Sequence, residues 1–150
     1  MNDRISVHAT ETGDSVFAVR IHAGKHILTG DEPESMGGLD LGPSPYQLLA
    51  AALAECTTMT VRWYAREHDW PVDHVETVVT HEKRAAEDRP GQRDFFDKVV
   101  AISGNLSSEQ HAKLLVIAAR CPVHRTLEAS ASITTRSAEQ AADERHAASI

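Results

Sequence analysis

An α+β fold is what this sequence predicts, on three observations. Runs alternating at a period of two lie both before and after one long apolar segment with helical spacing. Short turn signals join neighbouring strand-like runs, as antiparallel hairpins require. The strands and helices do not alternate regularly, which argues against a parallel α/β sheet. The expected order is β-β-β-α-β-β-α-β, with long central helices packed against antiparallel sheet.

Taken in chain order, Ile5 to Thr10 alternates weakly, and Ser15 to His22 alternates well with Phe17, Val19 and Ile21 on one face. A turn at Ala23-Gly24 leads into a third strand at His26-Ile27-Leu28-Thr29. From Gly30 to Pro43 the density of Gly, Pro and Asp predicts a loop. Ser44 then suits a helix N-cap, Pro45 the first helical position, and Gln47 the capping-box partner three residues on. This helix is expected to reach Glu67, where His68-Asp69-Trp70-Pro71 ends it. Leu49, Leu53, Cys56, Thr60 and Trp63 fall on one face, widened by Leu48, Ala51, Ala52 and Met59 until its first half is apolar nearly all round.

Two longer strands are predicted at Val72 to Glu82 and Phe95 to Gly104, the first facing inward with Val75, Thr77 and Val79, the second with Phe96, Val100 and Ile102. Arg89-Pro90-Gly91 marks a flexible connection between them. A second capping box at Ser107 and Gln110 opens a helix to Arg120, with Leu114, Ile117 and Ala118 on its buried side. Ala129 to Thr135 reads as a final strand. The expected division is one domain over residues 1–136 and a polar, Ala-rich tail over 137–150 that frays.

Composition narrows the function. At 150 residues, 41% hydrophobic and 25% charged, the chain fits one ordinary globular domain. Its net charge of −7 comes with scattered basic residues and no Lys/Arg run, so no nucleic-acid partner is expected. No long uncharged stretch and no charged-then-apolar leader occurs, so no membrane partner is expected and the cytoplasm is the predicted location. In a reducing compartment, two cysteines are reactive or simply buried rather than a permanent staple.

Those two cysteines, Cys56 and Cys121, are the principal chemical candidates. They stand too far apart for a CxxC motif or a zinc ribbon, leaving only a pairing made by the fold. Cys56 lies about twelve residues into its helix, roughly 18 Å along the axis, beyond the reach of the N-terminal dipole. A side-chain cation would have to favour its thiolate; the alternative is a small buried hydrophobe. Cys121 precedes Pro122, which disfavours helix at Cys121 and suits the first position of a new short helix. Its sulfur would then sit at a helix N-terminus that favours a thiolate, with His124 and Arg125 in the next turn; the alternative is a plain helix-breaking turn. A Cys121-x-x-His124 zinc half-site lacks partners in defined positions, so no metal is expected.

Other constellations carry less. The Gly37-Gly38 loop lacks the phosphate-binding strand–loop–helix pattern, and Ser44 has no nucleophile elbow around it. Asp31-Glu32 reads as a solvated loop. Trp63, Tyr64 and Trp70 read as core and helix-end packing.

The runs Asp31-Glu32-Pro33, Gly37-Gly38-Leu39-Asp40-Leu41-Gly42-Pro43-Ser44-Pro45-Tyr46-Gln47-Leu48-Leu49 and Ala52-Leu53-Ala54-Glu55-Cys56-Thr57-Thr58-Met59-Thr60 closely resemble the OsmC/Ohr family, the osmotically induced and organic hydroperoxide resistance proteins. Arg120-Cys121-Pro122-Val123-His124-Arg125-Thr126-Leu127 resembles its second cysteine motif. The likeness extends to about Thr135 and points to a less characterised branch.

The resemblance implies an intertwined α+β homodimer and a stress-response, antioxidant role. It further implies a cysteine-based peroxidase that reduces organic hydroperoxides to alcohols. Cys56 would be oxidised to a sulfenic acid and Cys121 would condense with it to a disulfide. No cofactor is expected; an external thiol reductant, a dithiol, would restore both. Leu49, Leu53, Met59 and Trp63 would line the pocket for the small hydroperoxide. Relatives activate the attacking thiol with an arginine paired to a glutamate in a P-E-x-L stretch; here Tyr46 and Gln47 follow Pro45, so that carboxylate is absent. Arg20 and Arg4 are the arginine candidates by position, and Gln47 and His124 are possible supporting residues. Local electrostatics make Cys121 the more acidic thiol, whereas the resemblance assigns the attack to Cys56. The alternative reading is a non-catalytic small-ligand-binding or redox-sensing protein on the same scaffold.

Overall fold

Alternating β-branched residues and two capping boxes determine most of the architecture, which the computed structural model describes over residues 4–148. Strands β1 (Val7–Glu11), β2 (Val19–Ala23) and β3 (His26–Gly30) form an antiparallel sheet in that order. Helix α1 (Pro45–Glu67) comes next, then the long antiparallel hairpin β4 (Val72–Ala85) and β5 (Gln92–Gly104). Three helices close the chain: α2 (Ser108–Ala118), α3 (Pro122–Ala129) and α4 (Ala138–Ala147). The α+β class and antiparallel sheets agree with the sequence.

Helix α1 starts as its residues dictate. The Ser44 side chain accepts from Gln47 N–H at 3.4 Å, and Gln47 Oε1 accepts from Ser44 N–H at 2.8 Å. Its buried stripe is Leu53, Thr57, Val61 and Ala65, one residue every four. The expected stripe through Cys56, Thr60 and Trp63 is turned away from the core, and Trp63 and Met59 are each 61% exposed. The core lies between α1, α2 and the hairpin, where Val61, Ala65, Val72, Val75, Leu114 and Ala118 pack with Tyr64, Trp70, Val100 and Ile102. Trp63 is thus outside the cluster that Tyr64 and Trp70 join. Arg62 anchors the crossing by donating to the carbonyls of Val72 at 2.6 Å and Asp73 at 3.1 Å.

The second strand begins later than its alternation suggests. Ser15 Oγ accepts from Phe17 N–H at 3.1 Å and Ala18 N–H at 2.9 Å, and this local turn competes with the ladder. Ser15 also donates to Asp31 Oδ1 at 2.7 Å, and Asp31 accepts from the N–H groups of Glu32, Leu39 and Leu41. Asp31 is therefore not a solvated loop acid but a buried clamp for the Gly30 to Pro43 loop. Two glycines allow that closure: a Cβ at Gly38 would lie 1.9 Å from the Glu32 carbonyl oxygen, and one at Gly42 2.1 Å from that of Thr29.

The C-terminal end departs from expectation. The predicted strand over Ala129 to Thr135 does not form: α3 continues to Ala129, Ser130 takes a positive φ of 61°, and no strand of the described residues pairs with residues 131–135. Ile133 is left 86% exposed. Strand propensity without a free ladder edge leaves the segment irregular. Residues 138–147 of the expected fraying tail are helical, started by a third capping box of Ser137 and Gln140 and bridged by Arg136 to Glu144. No residue of α4 is buried.

Candidate functional site

Pro122 ends one helix and starts the next, and that break brings the thiols together. Cys121 is the N-cap of α3, with Pro122 in its first turn, and its sulfur accepts from His124 N–H at 3.4 Å. Cys56, from the middle of α1, faces the same helix start and accepts from Val123 N–H at 3.5 Å. Both sulfurs therefore face the start of α3, close enough for the state of each thiol to act on the other. Both are free thiols; Cys121 is fully buried and Cys56 partly exposed.

On the inner side stands a group that the sequence pattern does not single out. Thr57 Oγ1 lies 3.4 Å from Cys121 Sγ and also donates to the Leu53 carbonyl at 2.8 Å. Lys98 Nζ, from β5, donates to Thr57 Oγ1 at 3.1 Å and to the Ala118 carbonyl at 2.8 Å, at the end of α2. The sequence does hold one signal for Lys98: it occupies the same strand face as Phe96, Val100 and Ile102, where a charge is out of place.

These contacts separate the two thiols chemically. Burial pushes the Cys56 thiol above its ordinary range and its contact with Cys121 pushes it further, outweighing the Val123 N–H and the Thr60 hydroxyl. Burial also opposes charge at Cys121, but the Thr57 hydroxyl, the His124 N–H, the Cys56 thiol and the Lys98 ammonium outweigh it, and Cys121 lies below the ordinary range. Burial lowers Lys98, while Cys121, Cys56 and Glu128 favour its charge. The helix-terminus argument for Cys121 therefore agrees with its full surroundings.

Cys56 opens onto a mainly apolar cleft of about 670 Å³, walled by Met59, Trp63, Tyr64, Ile117 and Val123, with Glu55 and Arg120 also lining it. Met59 and Trp63 thus share a cleft with Cys56. Leu49 and Leu53 do not: they line a separate cleft of about 830 Å³, along with Tyr46, Phe95, Phe96, Lys98 and His124. The cause is distance along α1: Leu49 and Leu53 lie about two turns and one turn before Cys56, whereas Met59 and Trp63 lie about one turn and two turns after it. His124 contributes its backbone N–H to Cys121, and its ring pairs with Glu128 at 3.1 Å. Gln47 is occupied in the α1 cap, far down the helix from Cys56. Arg20 sits on β2 opposite Thr10 and Thr29, in a sheet without substantial packing on α1, and the fold of the described residues does not bring it to the thiols. No group of His, Cys, Asp and Glu among the described residues has the arrangement to hold a metal ion. No helix among them is long and apolar enough to cross a membrane.

The sequence model of the OsmC family, described as OsmC-like protein, matches residues 37–136, which include both cysteines and much of the loop that Asp31 clamps. The chain belongs to the OsmC family. Solved structures agree in fold. An OsmC-like protein from Mycoplasma pneumoniae superposes with a TM-score of 0.69 at 21% identity, over 85% of this chain and 89% of that one. An organic hydroperoxide resistance protein OsmC from Legionella pneumophila gives 0.65 at 20% identity, over 85% and 90%. The organic hydroperoxide resistance protein OhrB of Bacillus subtilis gives 0.56 at 24% identity, over 82% and 89%. A comparison with curated protein sequences gives no match.

Proposed function

We propose that this OsmC-family protein is a thiol-dependent peroxidase that reduces organic hydroperoxides to alcohols. The observation that carries this reading is a pair of free thiols at the start of one helix, one buried and one opening onto an apolar cleft. Cys56, the accessible member, attacks the distal peroxide oxygen. A sulfur–oxygen bond forms, the O–O bond breaks, and the departing alkoxide takes a proton to become the alcohol. Cys121 then attacks the Cys56 sulfenic sulfur, forming the disulfide and releasing hydroxide, which is protonated to water. An external dithiol reduces the disulfide by exchange, and no cofactor takes part. The apolar cleft walls favour the alkyl part of the substrate.

The protein acts as a homodimer. Val78 and Val99 face each other across the outer side of the hairpin at 53% and 62% exposure, and Val7 and Ile27 are similarly open on the N-terminal sheet. Apolar area of this extent is suited to a second copy. Light scattering should give twice 16.4 kDa; the monomer mass at micromolar concentration would remove this assembly.

The decisive test adds one equivalent of an alkyl hydroperoxide to the reduced protein, then maps peptides without reductant. An intrachain Cys56–Cys121 disulfide and one equivalent of alcohol are expected. Unchanged thiols with unconsumed peroxide would leave a binding protein on the same scaffold.

A further inference from the structure

The surroundings of Cys121 are more elaborate than a resolving cysteine needs. A thiol that only condenses with a sulfenic acid has to be near it and able to reach it. Here Cys121 is buried, capped by a backbone N–H, and backed by a hydroxyl that a lysine holds from behind.

Resting on the peroxidase reading, we propose that Lys98 is a positioning residue that acts through Thr57 to hold Cys121 as the proton acceptor for Cys56. The geometry is specific. Thr57 has one hydroxyl proton and two acceptors within reach, the Leu53 carbonyl at 2.8 Å and Cys121 Sγ at 3.4 Å. Lys98 Nζ donates into the Thr57 oxygen at 3.1 Å, which polarises the O–H bond and strengthens its donation. A second bond to the Ala118 carbonyl at 2.8 Å fixes the ammonium. When Cys121 is a thiolate, the Thr57 proton turns to it; when Cys121 is a thiol, that proton returns to Leu53.

The other charged or titratable groups near Lys98 and Cys121 are Cys56 from α1, His124 and Glu128 from α3, and Asp88, Arg89, Arg93 and Asp94 along the cleft that Lys98 lines, with Glu55 and Arg120 at the Cys56 cleft. Among the described residues, Lys98 is the cation that acts on the Cys121 sulfur, and it stands on the side away from that cleft.

The step balances without an added reagent beyond the hydroperoxide. The Cys56 S–H proton moves to the Cys121 sulfur as the Cys56 sulfur bonds to the distal peroxide oxygen. The O–O electron pair leaves on the alkoxide. That alkoxide takes the proton back from Cys121, giving the alcohol and restoring the thiolate that next attacks the sulfenic sulfur. One proton is thus used twice.

Two measurements test this. The first follows thiolate absorbance against pH in Cys56→Ala, where Cys121 is the sole cysteine, alone and with Lys98→Met, Lys98→Arg, Thr57→Val or Thr57→Ser added. Lys98→Met and Thr57→Val should each raise the midpoint by about one pH unit, while Lys98→Arg and Thr57→Ser recover most of it. Circular dichroism confirms which variants are folded, and the conservative pair keeps the test valid if Lys98→Met is not. Equal midpoints in all folded variants would overturn the role of Lys98. The second measures single-turnover sulfenic acid formation at Cys56 near neutral pH in the full chain and in Cys121→Ala. Loss of the acceptor should slow this first step about tenfold, a change a purely resolving cysteine would not cause. An unchanged rate overturns the proton transfer and leaves the peroxidase reading standing. No oxidation in the parent overturns that reading and the transfer with it, while the titration still decides whether Lys98 sets the state of Cys121.

Discussion

Cys56 and Cys121 carry the same side chain in the same cluster, yet their surroundings drive them in opposite directions. Cys56 sits in mid-helix, where the N–H groups of α1 are already bonded, and the one N–H it accepts, from Val123, does not offset the burial that raises the thiol. Cys121 is more deeply buried but stands at a helix start, where an N–H is free, with a hydroxyl and an ammonium added. Burial alone would order them the other way. Fixed donors decide the acidity, and access is assigned separately, to the less acidic sulfur at the apolar cleft.

The largest expected break of this contrast is Cys56→Ser, which removes the accessible sulfur. Peroxide consumption should fall at least about a hundredfold, because a serine hydroxyl cannot be oxidised in its place and buried Cys121 is not reached. Cys121→Ser should instead allow one turnover and then stall, with Cys56 accumulating as sulfenic and then sulfinic acid in mass spectra. If both variants turn over alike, the division of roles is wrong.

The cleft gives a smaller effect. Burying two or three methylenes, at about 0.8 kcal/mol each, should favour an alkyl hydroperoxide over hydrogen peroxide by about tenfold or more. Second-order rate constants check this, and Trp63→Ala should erode the preference.

Stability separates the two sites again. Cys121 is a helix cap, so Cys121→Ala should lower stability by about 1 kcal/mol, and Cys121→Ser should restore most of it because serine caps well. Urea unfolding of the reduced proteins would show it; equal losses would deny the cap.

The smallest effect is expected at the start of α1. Gln47→Glu keeps the capping box and places its charge roughly 13 Å along the helix from Cys56. The pH dependence of Cys56 oxidation should therefore move by less than about twofold in rate. A large acceleration would show that the carboxylate missing from this stretch acts over that distance.

Some of this is legible in the sequence for physical reasons. Ser44-Pro45-Gln47 carries its own start signal, and α1 begins there. Pro122 disfavours helix at Cys121, so the cap is readable from two residues. The thiol pairing comes from the family likeness rather than from spacing. Thr57 is hidden because a threonine beside Cys56 looks like ordinary helix filling, and its partners lie on β5 and at the start of α3. Lys98 is hidden because attention to the apolar members of its strand face passes over the charged one. Ala129 to Thr135 misleads because β-branched residues signal a strand only where a neighbouring edge can receive it.

The Asp31 clamp has a consequence for acid. Burial works against its charge, but bonds from the Ser15 hydroxyl and the Leu39, Glu32 and Leu41 N–H groups outweigh this and hold the carboxyl below its ordinary value. A carboxyl lowered in the folded state contributes stability that is complete above its unfolded pKa, about 3.9, and is lost as pH falls through the folded value. Below that point its two oxygens no longer accept from four donors, and the tie between Ser15 and the residue 39–41 backbone slackens. The N-terminal sheet carries little apolar burial of its own, whereas the core lies with α1, α2 and the hairpin. Acid should therefore release the sheet as a separate local-unfolding unit before the thiol-bearing body opens, with amide exchange at Leu39 and Leu41 rising first.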